Sequence, residues 1–260
     1  MPLDTFGKIA AAQLAFFFPI AVLTAFLTVR YQLRRDAGWL FLCIFSLARV
    51  TQGALLVAAQ SISNADPDLF LASYILDPAG LSLLLLSALG FLGMAGQHTY
   101  SEIPRVTVFF RIFGILTLIG LGLTIPGCIL GSHISPNNGN VGWILRRAGA
   151  SVYGVVYILI LCAFFGTFSY RWHLRTYRRN LLWGIGVALP FLGVRVAYGI
   201  MAAWSSRDLL GTQPVDNAIL AKMNPITGDW IFYLVLNRVM EFLTAGMFMI
   251  ASTIMAQRRH

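Results

Sequence analysis

Apolar residues run along this chain in seven blocks, each close to or above the roughly 20 residues that a bilayer core demands of a helix. The blocks are about Ile9–Val29, Trp39–Ala59, Leu69–Ala95, Val106–Leu130, Ala148–Tyr170, Leu181–Trp204 and Trp230–Met255. Spanning segments of this kind must satisfy their own backbone in lipid, which favours helices over isolated strands. The pattern predicts an all-α polytopic membrane protein, one seven-helix domain over residues 1–260. Pro19, Pro78, Pro126 and Pro190 fall inside the blocks, where each is expected to bend its helix. The first block has only Lys8 ahead of it and arginines behind it, so it reads as a retained helix and not a cleaved leader.

Composition agrees with the pattern. Of the 260 residues 58% are hydrophobic and only 11% charged, against about a quarter charged in soluble domains. The net charge of +9 would suggest a nucleic-acid partner in a soluble protein. Here the cations stand at block ends, where they orient a membrane protein and meet anionic lipid. Membrane lipids are therefore the expected partners, and nucleic acid is not. Ten Lys or Arg (Arg30, Arg34, Arg35, Arg105, Arg171, Arg175, Arg178, Arg179, Arg258, Arg259) follow the odd-numbered blocks. Five (Lys8, Arg146, Arg147, Arg207, Lys222) lie on the opposite side. The bias predicts a lumenal or extracellular N-terminus, a cytoplasmic C-terminus, and residence in the endoplasmic reticulum, another endomembrane or the plasma membrane. The long stretches Gly131–Arg147 and Ser205–Gly228 read as loops on the lumenal side.

The exceptions inside the blocks carry the candidate chemistry. The last block holds Asn237, Arg238 and Glu241, three and four residues apart and so on one helical face. Arg49, Asp77 and Arg195 interrupt the second, third and sixth blocks. At about 1.5 Å per residue these groups lie about 17 Å (Arg49), 12 Å (Asp77), 14 Å (Arg195) and 17 Å (Glu241) below the lumenal helix ends. Helices running in opposite directions thus bring their charges to one layer. A structural ion-pair network would account for such a layer. A functional site also would, since charge inside a membrane is costly and is retained for use. Three arginines against two carboxylates leave a positive excess that a carboxylate, phosphate or enolate oxygen would balance. Asp77 and Glu241 are the candidate catalytic acids. Arg49, Arg195, Arg238, Asn237 and Tyr198 are the candidate substrate-binding groups, with Tyr74, Tyr198, Gln52 and Asn237 expected to complete the hydrogen bonding of the cluster. Asp77 precedes Pro78, where desolvation would protonate it; equally, it could be an ion-pair partner of Arg49.

Other features read as structural. Arg111, Arg146 and Arg147 are expected to snorkel to the headgroups, and Arg171–Arg179 to form a solvated, lipid-touching face. Cys43, Cys128 and Cys162 read as buried apolar residues. His98, His133, His173 and His260 fall in loops or at the terminus, which disfavours haem and histidine-box iron chemistry. Asp66-Pro67-Asp68 reads as a lumenal turn and is a poor substitute for a diphosphate–magnesium motif. Neither a cofactor nor a metal is expected. Helix three ends GFLGMAGQ and helix seven has no Asn-Pro-Tyr pattern and no lysine, so rhodopsin-like receptor and retinal-binding signatures are missing.

The stretches RYQLRRDAGWLFLCIFSLARVTQGALLVAA, ILDPAGLSLLLLSALGFL and LPFLGVRVAYGI resemble a fungal family of seven-helix integral membrane proteins of unknown function. A looser echo surrounds VMEF in the last helix. Arg49, Gly80, Leu81 and Arg195 stand at the matching positions, and Leu83 replaces a proline frequent in the family. The resemblance implies a seven-helix fold and a fungal source. By analogy with families found beside secondary-metabolite genes, it also implies a biosynthetic setting. The leading expectation is a membrane enzyme performing a redox-neutral, metal-free, acid-assisted cyclisation or isomerisation of an isoprenoid or polyketide intermediate. A seven-helix receptor or lipid sensor and a lipid or small-molecule transporter are the alternatives.

Overall fold

A computed structural model describes residues 4–31, 37–62, 67–100, 104–132, 136–169, 171–174, 176–206 and 217–257. Six long helices come first: α1 (Thr5–Tyr31), α2 (Ala37–Ser61), α3 (Pro67–Tyr100), α4 (Pro104–Ser132), α5 (Pro136–Ser169) and α6 (Thr176–Trp204). A short helix, α7 (Ala218–Lys222), precedes the last span. That span is a helical run in three pieces: α8 (Trp230–Phe232), a π-helical segment (Tyr233–Val239) and α9 (Met240–Gln257). Seven helical runs among the described residues are long and apolar enough to cross a membrane.

The helices extend beyond the apolar blocks at most ends, because polar flanks continue a helix once lipid or packing has fixed its middle. α5 departs furthest from expectation: it starts at Pro136, inside the stretch read as a loop. Proline at a first helical position lacks only an N–H that would be unbonded there anyway. Pro67 likewise opens α3, while Asp66 lies outside the described residues. His98, expected in a loop, falls in the last turn of α3. His173 closes a 3-10 turn, and His133 and His260 lie outside the described residues. So do Arg34, Arg35, Arg175, Arg207, Arg258 and Arg259.

α3 is the central element. Its apolar window is 61% buried, whereas that of α4 is 17% buried. Towards the C-terminal end of α3, Leu84, Leu85, Ala88, Phe91 and Leu92 are fully enclosed. They belong to one apolar cluster with Phe17 of α1, Phe45 of α2, Ile185 of α6 and Phe248 of α9. Edge-to-face pairs such as Trp39–Phe91 and Phe17–Phe45 set the ring geometry there.

α4 and α5 approach closely through small residues. A Cβ on Gly127 would stand 2.7 Å from the Arg146 backbone nitrogen, and one on Gly142 would stand 2.5 Å from that of Gly131. Lipid tails are as apolar as leucine, so tight backbone contact replaces the hydrophobic drive in joining such helices. This contact sets where Arg146 emerges from α5.

Candidate functional site

The half of the bundle on the side where α1 begins is built differently. There the five charges that interrupt the apolar blocks come together. Glu241, fully buried, takes Arg49 Nη2 at 2.5 Å and Arg195 Nε at 2.6 Å on one oxygen, Oε1. Its other oxygen lies 3.6 Å from Arg238 Nη1 and accepts no hydrogen bond. Asp77 pairs with the same three arginines, at 3.3 Å from Arg49, 3.1 Å from Arg195 and 3.2 Å from Arg238; the first two contacts are longer than those to Glu241 and the third is shorter. The Asn237 amide adds contacts of 3.4 and 3.5 Å. Each of these partners of Asp77 is a donor, so its oxygens act as acceptors. It is an ion-pair partner in this arrangement, the second of the two expectations for it.

Neighbouring elements hold the arginines in place. Arg49 donates to Gln52 and, at 3.1 Å, to the Asp77 carbonyl. Gln52 in turn donates to the Ser73 carbonyl at 2.9 Å, tying α2 to α3. Gln13 of α1 donates to the Arg49 carbonyl at 2.7 Å. The Arg49 guanidinium lies directly on α3 at Gly80, where a Cβ would come within 2.5 Å of Cζ and Nη2. That close approach explains glycine one turn after Asp77.

The π-helical segment changes the face presented by the last span. Tyr233 and Arg238, five residues apart, would diverge by about 140° in an α-helix. In the i→i+5 geometry they meet, and Arg238 Nε donates to the Tyr233 hydroxyl at 2.9 Å. Tyr233 is the site residue that sequence reasoning missed, because its relation to Arg238 exists only in π geometry.

A cavity of about 90 Å³ adjoins the cluster. Asp77, Arg195, Tyr74 and Gln52 line it from the cluster side, and Arg146, Cys128 and the Thr124–Tyr153 hydroxyl pair line it from α4 and α5. Pro225 and Ile226 close one side. They stand on a turn in which Asn224 Oδ1 accepts from the Ile226 and Thr227 amides at 2.8 and 3.3 Å. Arg49, Arg238, Glu241, Asn237 and Tyr198 do not line the cavity. Tyr198 is buried with its hydroxyl unbonded, so the expected hydrogen bond from it to the cluster is not made. Asp77 keeps 19% of its side chain exposed, whereas Arg49, Arg195, Arg238 and Glu241 keep 5% or less. Among the described residues no three His, Cys, Asp or Glu side chains converge as metal ligands.

Four expectations meet a different arrangement. Arg146 does not snorkel; it lines the cavity and donates to the Ser206 carbonyl at 2.6 Å, because the tight α4–α5 contact turns it inward. Arg147 is held between the Trp143 and Trp204 rings, 4.0 and 4.3 Å from their centres. Arg178 is buried, unlike the solvated face expected of its run, and Cys162 is exposed where burial was expected.

The arrangement defines a class: a polytopic seven-helix bundle with an enclosed charge cluster that opens into a small cavity. The chain belongs to the family described as a domain of unknown function, DUF7702, which matches it over residues 3–258. No curated protein and no solved structure matches it.

Proposed function

We propose that this protein is a membrane enzyme that isomerises or cyclises a lipophilic small molecule without net oxidation, using the cavity beside Asp77. One observation carries the reading: Asp77 alone among the five clustered charges is both partly exposed and, with Arg195, part of the cavity wall. Glu241, the other candidate from the sequence, is sealed beneath Arg49 and Arg195, so its role on this reading is to position them. Asp77 makes only acceptor contacts and so stands as a carboxylate, which on this reading makes its first step the taking of a proton from the substrate and not the giving of one. The proton leaves a carbon next to a carbonyl, and the electron pair moves to the oxygen to form an enolate facing Arg195. The same proton returns at a second carbon, so mass and oxidation state are unchanged.

On the same reading the cavity side of the bundle is lumenal or extracellular, supported by the bias of positive residues to the opposite side. A fungal endomembrane is the proposed setting, with membrane lipids and a lipophilic isoprenoid or polyketide as partners.

Membranes from an expressing host, incubated with a panel of such compounds, test the reading by mass spectrometry. We expect a new product of unchanged mass that is missing with Asp77→Asn. Complete recovery of every compound by correctly folded wild-type protein would reject the enzyme and leave binding or transport as the use of the cavity.

A further inference from the structure

Six ion pairs join three arginines to two carboxylates in the cluster, and among the described residues no further carboxylate meets those arginines. Counted over the described residues, the cluster thus holds one formal positive charge in excess, on guanidinium groups that keep 5% or less of their side chains exposed. An uncompensated charge in such surroundings is costly. Of the five clustered charges only Asp77 and Arg195 reach the cavity. Arg195 commits Nε to Glu241 and Nη2 to Asp77. Its third nitrogen, Nη1, makes neither of these bonds and lies 3.3 Å from where a Cβ on Gly199 would stand, and Gly199 lines the cavity. A guanidinium that shares the cluster's excess charge thus forms part of the wall of the space next to it.

We infer that the cavity binds an anionic head, a carboxylate or its enolate equivalent, against Arg195. The inference rests on the proposed function only in naming its substrate class. A neutral head would leave the excess charge in place. Volume restricts the head as well. At roughly 10–15 Å³ for each water-sized unit, the cavity takes a group of about one ring. A longer lipophilic tail has to extend out of it.

Radiolabelled benzoate, titrated onto the purified full-length protein in neutral detergent, provides the test. We expect saturable binding of one equivalent, with benzamide, its neutral isostere, competing at least about tenfold more weakly. Laurate distinguishes the source of the carboxylate: stronger displacement by laurate than by benzoate indicates a fatty acid, weaker displacement a compact metabolite, and both support a carboxylate. Equal competition by benzamide, or no saturable binding of benzoate or laurate, overturns the inference. Neither result bears on whether neutral lipophiles are converted, which the product assay reads separately.

Variants of Arg195, which Glu241 holds beneath the cavity, risk misfolding, so the wall is altered instead. Ala150 is buried and lines the cavity, and its side chain is a methyl group that takes no part in the ion pairs. Ala150→Leu should weaken benzoate binding at least about tenfold with the melting temperature held. Undiminished binding in that variant would put the anion elsewhere and overturn the assignment.

Discussion

The two halves of the bundle solve the same packing problem with opposite materials. In the half near the C-terminal end of α3, leucine and phenylalanine fill the interior, and the polar groups there are met by hydroxyl–carbonyl bonds such as Ser87 to Gly38 at 3.3 Å. In the other half the interior is occupied by three arginines, two carboxylates, Asn237 and Gln52, with a cavity alongside. A chain that can close one end of its bundle with apolar side chains has no need of charge to close the other. The contrast argues for a use of the polar half beyond holding helices together. Within that half a second contrast appears. Glu241 makes two contacts of 2.6 Å or less and is sealed, whereas Asp77 makes only contacts of 3.1 Å or more and is partly open. One carboxylate anchors; the other is available.

Breaking the anchor should have the largest effect. Glu241→Gln removes the charge partner of Arg49 and Arg195 and leaves both enclosed, a loss of about 3–5 kcal/mol by comparison with other buried pairs. The expected result is a sharp fall in the yield of monodisperse protein on size-exclusion chromatography. Gly80→Ala comes next. Its methyl group would meet the Arg49 guanidinium at 2.5 Å, and displacing an enclosed arginine should cost about 1–3 kcal/mol, read as a lower melting temperature in detergent. Ile115→Ala on the outer face of α4, half exposed and away from both halves' interiors, should stay within about 0.5 kcal/mol of wild type. An Ile115 variant as unstable as the Gly80 variant would dissolve the distinction between the site and its surroundings.

The seven spans and the layer of charges were legible because both follow from periodicities the sequence displays directly. Apolar length marks the spans, and a rise per residue common to all helices puts Arg49, Asp77, Arg195, Arg238 and Glu241 at one depth. What remained hidden depended on local departures from that regularity. Tyr233 reaches Arg238 only through a π-helical segment that no spacing announces. Arg146 turns inward because Gly127 and Gly142 let two helices touch, which is a property of a pair of segments and not of either one. The unequal exposure of Asp77 and Glu241 also lay beyond sequence, since two carboxylates at one depth look alike until the side chains around them are placed.

Asp77→Asn is the variant that bears most directly on the division between an anchoring and an available carboxylate. Its melting temperature and its product formation should be measured beside those of wild type and Glu241→Gln, in the same detergent. We expect a melting temperature well above that of the Glu241 variant, together with a loss of at least about a hundredfold in product formation. A melting temperature lowered as far as that of Glu241→Gln would contradict the division, making the two carboxylates equal members of a structural network.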